Sequence, residues 1–362
     1  MATKESTSIE KNYYAAANSC KGFFSLFGSI FSPEKLKKIY ILKGGPGCGK
    51  STAIKRVSQK ATELGYAVEN YYCSSSPSSY DGVIIPELSC AVLDGTAPHT
   101  VDPKYPGVCE NIINLGEAWN IEKANEINTI TRELTARKNS AYKKAYAYLS
   151  SCMSAREVKM NCIAPCILEN KMIRAVERLC SKYKFKANTS ECKEVFTDCV
   201  SGYGNIHLDT FERYSEIKYF IKDYADISSI FLDTLSYELI KRGARLTIAV
   251  DPLYPEQYKG IFVDDLNLSF TMYNDDYCRN LDKKQIPYKI INLARFCDTA
   301  QFKRNKVFYK YADKSEKILM NGAIKQLSIA ASTHDEIEKY YYSITDFSVT
   351  NKITEDLLNK IF

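Results

Sequence analysis

The sequence has few of the residues that build zinc sites. Only three of its 362 residues are histidine, and none of its 13 cysteines lies in a C-x-x-C pair. The closest cysteine spacings are those of Cys162 with Cys166 and of Cys192 with Cys199. Neither pair can be completed to a zinc site by a suitably spaced histidine. We therefore expect free thiols, most of them acting as small buried hydrophobes, and no structural metal.

Long apolar runs are also lacking. The longest one, residues 22–31, has only ten residues and is too short to cross a bilayer. The preceding residues 1–20 lack the charged, apolar and small-residue order of a secretory signal. We therefore expect a cytoplasmic protein in which residues 22–31 pack against the domain that follows them.

No large excess of charge of one sign is present. The formal net charge is +6, with 45% hydrophobic and 25% charged residues, as in an average soluble protein. No dense run of Lys and Arg indicates a nucleic-acid or membrane partner. The length allows two domains, each able to bury its own core.

One strong chemical motif is present. Residues 44–52 read GGPGCGKST and fit the phosphate-loop pattern G-x-x-x-x-G-K-[ST]. Glycine lets successive backbone N–H groups face a phosphate without a Cβ atom in the way. Lys50 would reach the β- and γ-phosphates, and the Ser51 hydroxyl would bind Mg²⁺. The nucleotide-binding residues that we expect are Gly44, Gly45, Pro46, Gly47, Cys48, Gly49, Lys50, Ser51 and Thr52.

The residues around this loop have the order that a phosphate loop requires. Residues 39–42 are apolar and predict a buried strand that enters the loop. Residues 53–64 carry apolar side chains at helical spacing, and Gly65 stops the helix. Further strands are predicted at 67–72, 83–85 and 91–94. The motif therefore has its strand, loop and helix.

Asp94 is the candidate metal-side carboxylate. It ends the apolar run 91–94, and P-loop enzymes hold Mg²⁺ with an Asp at such a strand end. A turn Asp after any buried strand would look the same. Gly95 and Thr96 follow, with no adjacent Glu to activate water. Either hydrolysis is slow, Asp81 or Glu87 activates the water, or the phosphoryl acceptor is not water.

The next residues offer weaker candidates. Residues 96–107 contain three prolines and predict an irregular loop, in which His99 and Asp102 either line the cleft or brace the loop. From residue 108 to about 186 the pattern is helical, with basic faces that we interpret as solvated. Those faces carry Lys138, Lys143 and Lys144, and the candidates for a phosphate-contacting arginine are Arg132, Arg137 and Arg156.

The sequence repeats itself at a shift of 178 residues. The shift pairs Gly65 with Gly243, Pro77 with Pro255, and residues 112–115 with residues 290–293. We interpret this as two copies of one domain. The predicted units are an N-terminal segment 1–21, a P-loop domain 22–190, a repeat domain 200–350 and a C-terminal helix or tail 351–362.

The second copy has lost the chemistry of the first. The shift places residues 44–51 on residues 222–229, which read KDYADISS and contain no glycine and no P-loop lysine. A strand is still predicted before them, at 218–221. Asp223 and Asp226 would repel phosphate, and Met272 and Lys259 replace Asp94 and Asp81. We expect one active lobe and one degenerate lobe kept for packing, regulation or a partner surface.

Three segments resemble an uncharacterised bacterial family of tandem P-loop proteins. They are LKGGPGCGKST at 42–52, CSS with DGVIIPEL within 73–88, and DGTAPH with DP and PG within 94–107. Members are labelled ATPase or nucleotide-kinase-like, which implies ATP but no substrate. The likeness is good in the first half and faint in the second, where the family commonly keeps a P-loop. Tyr72 and Ser76 also stand where the family has His and Asp.

We therefore expect an α/β P-loop NTPase that hydrolyses Mg-ATP, or GTP, through its first lobe. Lys50 and Asp94 would be catalytic, and Ser51 and Asp94 would hold Mg²⁺. One alternative is a kinase for a nucleotide or other small acceptor. Another is a non-catalytic switch in which the nucleotide sets the angle between the lobes for a protein partner. No N/T-K-x-D guanine signature follows the loop, so the base preference stays open.

Overall fold

The computed structural model describes residues 9–185 and 191–362. It has two α/β lobes, each built on a six-stranded mixed sheet. The prediction of a duplicated α/β fold is confirmed at this level. Residues 1–8 and 186–190, which include the start of the predicted N-terminal segment and the end of the predicted first domain, lie outside the described residues.

The first half of the chain contains eight strands and five α-helices among the described residues. Its strands are β1 (Glu10–Tyr14), β2 (Ala16–Ser19), β3 (Gly22–Ser25), β4 (Lys38–Lys43), β5 (Val68–Tyr72), β6 (Tyr80–Ile85), β7 (Cys90–Asp94) and β8 (Glu110–Asn114). Its helices are α1 (Phe27–Ile30), α2 (Lys50–Glu63), α3 (Ile121–Glu126), α4 (Asn128–Ile163) and α5 (Glu169–Cys180).

The second half repeats most of this order. Its strands are β9 (Cys192–Val195), β10 (Asp198–Ser201), β11 (Gly204–His207), β12 (Ile217–Lys222), β13 (Leu246–Val250), β14 (Tyr258–Val263), β15 (Leu268–Met272) and β16 (Lys289–Asn292). Its helices are α6 (Thr210–Tyr214), α7 (Ser228–Lys241), α8 (Asp275–Lys283), α9 (Thr299–Ile344) and α10 (Phe347–Ile361).

The two sheets have the same strand order. The first runs β1-β5-β6-β7-β4-β8 and the second β9-β13-β14-β15-β12-β16. In each sheet one strand, β6 or β14, is antiparallel to both of its neighbours. The strands predicted at 39–42, 67–72, 83–85, 91–94 and 218–221 all belong to these sheets. Strand β4 is central, with β7 and β8 parallel on either side, so its carboxyl end carries the candidate site.

Two stretches differ from the sequence-based expectation. The predicted N-terminal segment contains β1, which pairs with β5 and extends the first sheet. The helical pattern expected from residue 108 is wrong at its start, because residues 110–114 form the edge strand β8 beside β4. The β-branched pair Ile112 and Ile113 favours a strand there. Helix begins only at Ile121.

The two long helices connect the lobes in opposite directions. α4 leaves the first lobe and α9 leaves the second, and they pack side by side along their length. The pairs Arg137–Glu336 and Lys159–Glu316 show that the two helices are antiparallel. The chain that leaves each long helix continues in the other lobe. After α4, helix α5 packs on α7 of the second lobe. After α9, helix α10 packs on the first lobe. The end of α9 is thereby delivered to the phosphate loop.

The lobes also share a core at their strand-rich sides. Tyr13, Tyr71, Phe196 and Phe262 lie in one buried cluster that draws on both sheets. An isolated bridge pairs Tyr14 with Phe196, and the hairpins β2–β3 and β10–β11 lie beside it. As expected, residues 22–31 pack into this cluster through Phe27, Ile30 and Phe31.

Within residues 9–185 and 191–362, no helix has the length and apolar character needed to cross a membrane.

Candidate functional site

The candidate site is the loop between β4 and α2. Gly47 and Gly49 have φ angles of +67° and +95°. L side chains rarely adopt this left-handed conformation, so the turn depends on glycine at these two positions. α2 begins directly afterwards at Lys50, which points the positive end of its dipole at the loop. The sequence motif therefore adopts a strand, a glycine turn and a helix N-terminus.

Lys50 folds back over the loop. Its Nζ donates to the carbonyl oxygens of Gly44 at 3.1 Å and Gly45 at 2.8 Å. The same Nζ lies 3.6 Å from Oδ2 of Asp94, and both side chains are largely buried. The loop thus holds a sheltered ammonium group at its centre, close to a carboxylate.

Asp94 lies at the carboxyl end of β7, level with Leu42 of β4. Its Oδ1 accepts hydrogen bonds from the backbone N–H of Thr96 at 2.9 Å and from the Thr96 hydroxyl at 2.6 Å. These bonds fix the carboxylate and leave Oδ2 toward Lys50. The structure therefore brings together the two residues that the sequence predicted as catalytic.

The remaining predicted side chains of the loop, those of Pro46, Cys48, Ser51 and Thr52, differ in burial. Ser51 Oγ accepts a 2.8 Å hydrogen bond from the backbone N–H of Tyr80, which fixes the hydroxyl at the start of α2. Cys48 is fully buried, and burial raises the pKa of its thiol. Pro46 is half-buried and Thr52 is exposed. The Ser51 hydroxyl therefore lies at the N-terminus of α2, beside the loop.

The ends of α9 and α10 cover the loop. A Cβ atom on Gly45 would lie 2.9 Å from Tyr341 Cε1, and one on Gly47 would lie 2.8 Å from Tyr342 Cε1. A Cβ atom on Gly49 would lie 2.8 Å from Thr350 Cγ2. Glycine is therefore needed here for close approach as well as for backbone conformation. Residues almost 300 positions away form a roof over the motif.

A carboxylate in this roof reaches the loop. Glu338 of α9 lies beside the loop, because a Cβ atom on Gly47 would lie 3.2 Å from its backbone carbonyl oxygen. Burial raises the pKa of the Glu338 carboxyl group and outweighs the opposing hydrogen bond from the Tyr342 hydroxyl. One turn earlier, His334 Nε2 lies 3.7 Å from Glu338 Oε1. Burial, with the positive charges of Lys138 and Lys50, lowers the pKa of His334 to about 4. Glu338 therefore brings a carboxyl group close to the loop amides that a bound phosphate would use.

A second ionisable pair lies beside the loop. Asp81 is on β6 next to the strand of Asp94, and its Oδ2 is 3.7 Å from Nε2 of His99. The His99 ring stacks on Phe27 with 4.5 Å between centroids. Burial alone would lower the pKa of His99, but the hydrogen bond and charge of Asp81 outweigh it and raise that pKa. His99 is thus braced in the interior, and its Nδ1 has no hydrogen-bond partner.

Other sequence candidates lie elsewhere. Arg156 does not reach the phosphate loop, because its guanidinium pairs with Asp226 of the second lobe at 2.9 Å. Arg132 and Arg137 are exposed on α4. Glu87 accepts a hydrogen bond from the backbone N–H of Ala67. It lies before the first residue of β7, whereas Asp94 is the last residue of that strand, so the two carboxylates lie at opposite ends of β7. Asp102 is exposed and pairs with Lys43.

Sequence reasoning missed the roof. Lys138, expected on a solvated face, is half-buried, and burial lowers its pKa beside Glu338. Trp119, Tyr341 and Tyr342 belong to no recognised motif. The repeat predicts that α4 and α9 are equivalent helices, but it does not predict that the end of either helix meets the other lobe.

The second loop, residues 222–229, is organised differently. Asp223 accepts the backbone N–H groups of Asp226 at 3.1 Å and Ser228 at 2.9 Å. Ala225 and Asp226 take left-handed φ angles of +54° and +63°. The second loop therefore keeps the left-handed conformation at the position of Gly47 but not at that of Gly49, where Ile227 has a φ angle of −83°. It fills the turn with the carboxylate of Asp223.

The first loop fits a nucleotide phosphate with Mg²⁺. The Trp119 Nε1 and Thr350 Oγ1 atoms are buried without a hydrogen-bond partner, and both side chains lie against loop glycines. Lys50, Ser51 and Asp94 supply the cation, hydroxyl and carboxylate that such a ligand requires. Among the described residues no group of three or more His, Cys, Asp or Glu side chains could hold a metal ion. A Mg²⁺ ion here would therefore also need phosphate and water oxygens as ligands.

Comparison with known proteins does not extend this assignment. No family model, no curated protein and no solved structure matches the chain.

Proposed function

We propose that the chain binds Mg-ATP, or GTP, at the first loop and hydrolyses it. The observation that carries this proposal is the position of Lys50 at the start of α2, with its ammonium inside a glycine turn and 3.6 Å from Asp94. Membership of the tandem P-loop family remains a prediction that rests on the same motif.

Different residues of the loop would bind the phosphates, stabilise the developing charge and hold the metal ion. The backbone N–H groups of residues 45–52 would bind phosphate oxygens, and Lys50 would stabilise the charge on the transferring group. Ser51 and Asp94 would hold Mg²⁺, which when bound neutralises charge on the β- and γ-phosphates. Asp81 and His99 lie at the same edge of the sheet, where they could orient an attacking water or another acceptor.

The roof favours a second candidate function, a nucleotide-dependent switch. Glu338 lies beside Gly47, and a phosphate bound at this loop would meet a carboxylate of like charge. Phosphate binding would therefore push the end of α9 away from the loop. Because α9 packs along α4 between the lobes, this displacement would be passed to the second lobe.

The test is the rate of ADP formation from Mg-ATP, without an added acceptor, by the wild type and by Lys50→Ala. Loss of one preorganised charge-stabilising group typically costs about 100-fold or more in rate. Lys60→Ala, which removes an exposed charge from the last turn of α2, is the matched control. Ser228→Ala changes the equivalent position of the second loop and should leave the rate unchanged.

Binding of a fluorescent ATP analogue separates the remaining outcomes. Turnover lost in Lys50→Ala but kept in both controls supports the hydrolase. Tight binding without turnover favours the switch, and ADP that forms only with an added acceptor favours a kinase. Absence of both binding and turnover in the wild type would contradict the proposal.

A further inference from the structure

Helix α9 has a second face whose side chains are largely exposed in the described chain. Its inner face carries the buried residues Phe302 and Ala312 against the lobe and α4. Its outer face, between residues 303 and 318, exposes large apolar side chains. Those of Val307, Tyr311 and Ile318 are 56%, 67% and 61% exposed.

Three of the exposed apolar residues, Val307, Tyr311 and Ile318, lie on one stripe of the helix together with the cationic Arg304 and Lys314. Phe308, which is 62% exposed, lies beside this stripe. Counting from Arg304, the stripe takes residues at alternating steps of three and four, which is the a/d spacing of a coiled coil. Every residue of the stripe is exposed. Its members are Arg304, Val307, Tyr311, Lys314 and Ile318.

A row of lysines borders this stripe on one side. Lys303, Lys310 and Lys317 follow one another at seven-residue intervals and occupy the g positions of the same heptad. Lys317 also pairs with Asp313 at 2.7 Å, but its side chain is 73% exposed. For Lys303 and Lys310, no carboxylate of the described residues lies within 4.0 Å. The stripe and the row together form a seam that presents apolar side chains beside positive charge, which is unneutralised at Lys303 and Lys310.

The other repeat has no such seam. At the shift of 178 residues the stripe falls on residues of α3 and α4 that are polar or small, and the lysine row falls on one arginine and two asparagines. The replacements are Glu126, Thr129, Glu133, Ala136 and Ser140 for the stripe, and Asn125, Arg132 and Asn139 for the row. The seam is therefore not a requirement of the fold that the two halves share.

We propose that residues 303–318 of α9 dock an acidic amphipathic helix of a partner protein. Apolar residues of that helix would cover Val307, Tyr311 and Ile318. Its Glu or Asp residues would pair with Arg304, Lys314 and the lysine row. A second copy of this chain fits less well. An antiparallel pair would set lysine row against lysine row, and a parallel pair would face it with Phe308 and Ser315. This inference does not rest on the proposed nucleotide chemistry.

The experiment uses the full chain and two synthetic 21-residue peptides labelled with fluorescein. Both have Leu at every a and d position; one has Glu and the other Lys at every e and g position. Fluorescence anisotropy should show binding of the Glu peptide at least tenfold tighter than the Lys peptide. The triple variant Lys303→Glu, Lys310→Glu, Lys317→Glu should reverse this preference. Tyr311→Ser should weaken binding of the Glu peptide by about tenfold.

A second triple variant, Lys143→Glu, Lys144→Glu, Lys325→Glu, makes the same change of charge on exposed lysines outside the seam. It should bind the Glu peptide like the wild type. Equal affinity for both peptides, or no reversal in the seam variant, would overturn the proposal. So would tighter binding of a 20-nucleotide single strand or of phosphatidylserine vesicles that the seam variant loses, because the surface would then recognise a nucleic acid or a lipid.

Discussion

The two equivalent loops differ in the sign of the charge that the loop carries. The long helix packed on each loop carries the opposite sign. In the first, the loop carries the cation Lys50, and the long helix above it contributes the carboxylate of Glu338. In the second, the loop carries Asp226, and the long helix contributes Arg156 at 2.9 Å and Lys159 at 2.6 Å. The first loop, residues 44–52, thus contains no anionic side chain of its own, whereas the second contains two.

If the first loop binds phosphate as proposed, this inversion would let the second loop do without a ligand and keep its place in the fold. Asp223 stands where the first loop has Gly45, and its carboxylate accepts two loop N–H groups. Backbone donors at a helix N-terminus must be satisfied, by a ligand or by a side chain. The second lobe uses a side chain, so its loop needs no nucleotide to remain ordered.

The largest effect is expected from removing the internal anion of the second lobe. Burial alone would raise the pKa of Asp226, but the charges of Arg156 and Lys159 outweigh it and lower that pKa. Asp226→Asn keeps the shape and the left-handed backbone while leaving two buried cations short of a partner. We expect the free energy of unfolding to fall by about 3 kcal/mol, since breaking a buried pair costs about this much.

Urea unfolding monitored by circular dichroism measures this change. Asp313→Asn is the matched control, because Asp313 lies 3.6 Å from the same Lys159 Nζ but is more exposed. Its loss should stay below about 1 kcal/mol. Equal losses in the two variants would mean that Asp226 has no special role in the second loop.

The next effect tests the carboxylate over the first loop. Glu338→Gln removes a negative charge that a phosphate at Gly47 would meet, so nucleotide affinity should rise. A gain of about 1 kcal/mol, or fivefold, corresponds to one unit charge several ångströms away in a largely aqueous surrounding. The measurement is titration of a fluorescent ATP analogue at low and at 0.5 M salt, where screening should reduce the gain.

Glu336→Gln is the control for that titration, because Glu336 is on the same helix but pairs with Arg137 of α4. Its affinity should match the wild type. Unchanged or weaker binding by Glu338→Gln would contradict the view that this carboxylate competes with phosphate, and it would remove the support for a switch.

The local parts of this comparison could be predicted from sequence. The strand β4, the glycine turn and α2 lie within 26 residues, and each has its own signal in periodicity and turn chemistry. The repeat then predicted the second lobe and the loss of its glycines. The sequence also predicted that Asp223 and Asp226 would repel a phosphate. It did not predict that the Asp223 carboxylate accepts hydrogen bonds from the loop.

The parts that depend on distant contacts could not be predicted. Edge strands β1 and β8 owe their place to pairing with β5 and β4, and neither has the strict alternation that marks a strand. The roof of Tyr341, Tyr342 and Glu338 exists because α9 returns to the first lobe. Helical periodicity gives the face of a helix but not which loop its end will meet.

The smallest effect concerns the hairpins, where the lobes differ in charge again. At one register position the first hairpin pairs Ala16 with Ser25, and the second pairs Asp198 with His207. Burial alone would lower the pKa of His207. Its bonds to Asp198 at 3.2 Å and to Glu212 at 3.3 Å outweigh this and raise that pKa to about 10.

A histidine whose pKa is raised in the folded state stabilises the fold below its unfolded pKa of about 6.5. That contribution is lost as the pH rises through about 10. The wild type should therefore lose more stability between pH 6 and pH 10 than His207→Gln, which has no charge to lose. The His207 side chain is 47% exposed, so solvent screening should keep the difference below about 1 kcal/mol. If the urea midpoints of the two proteins change equally between pH 6 and pH 10, the charge of His207 does not stabilise the second hairpin.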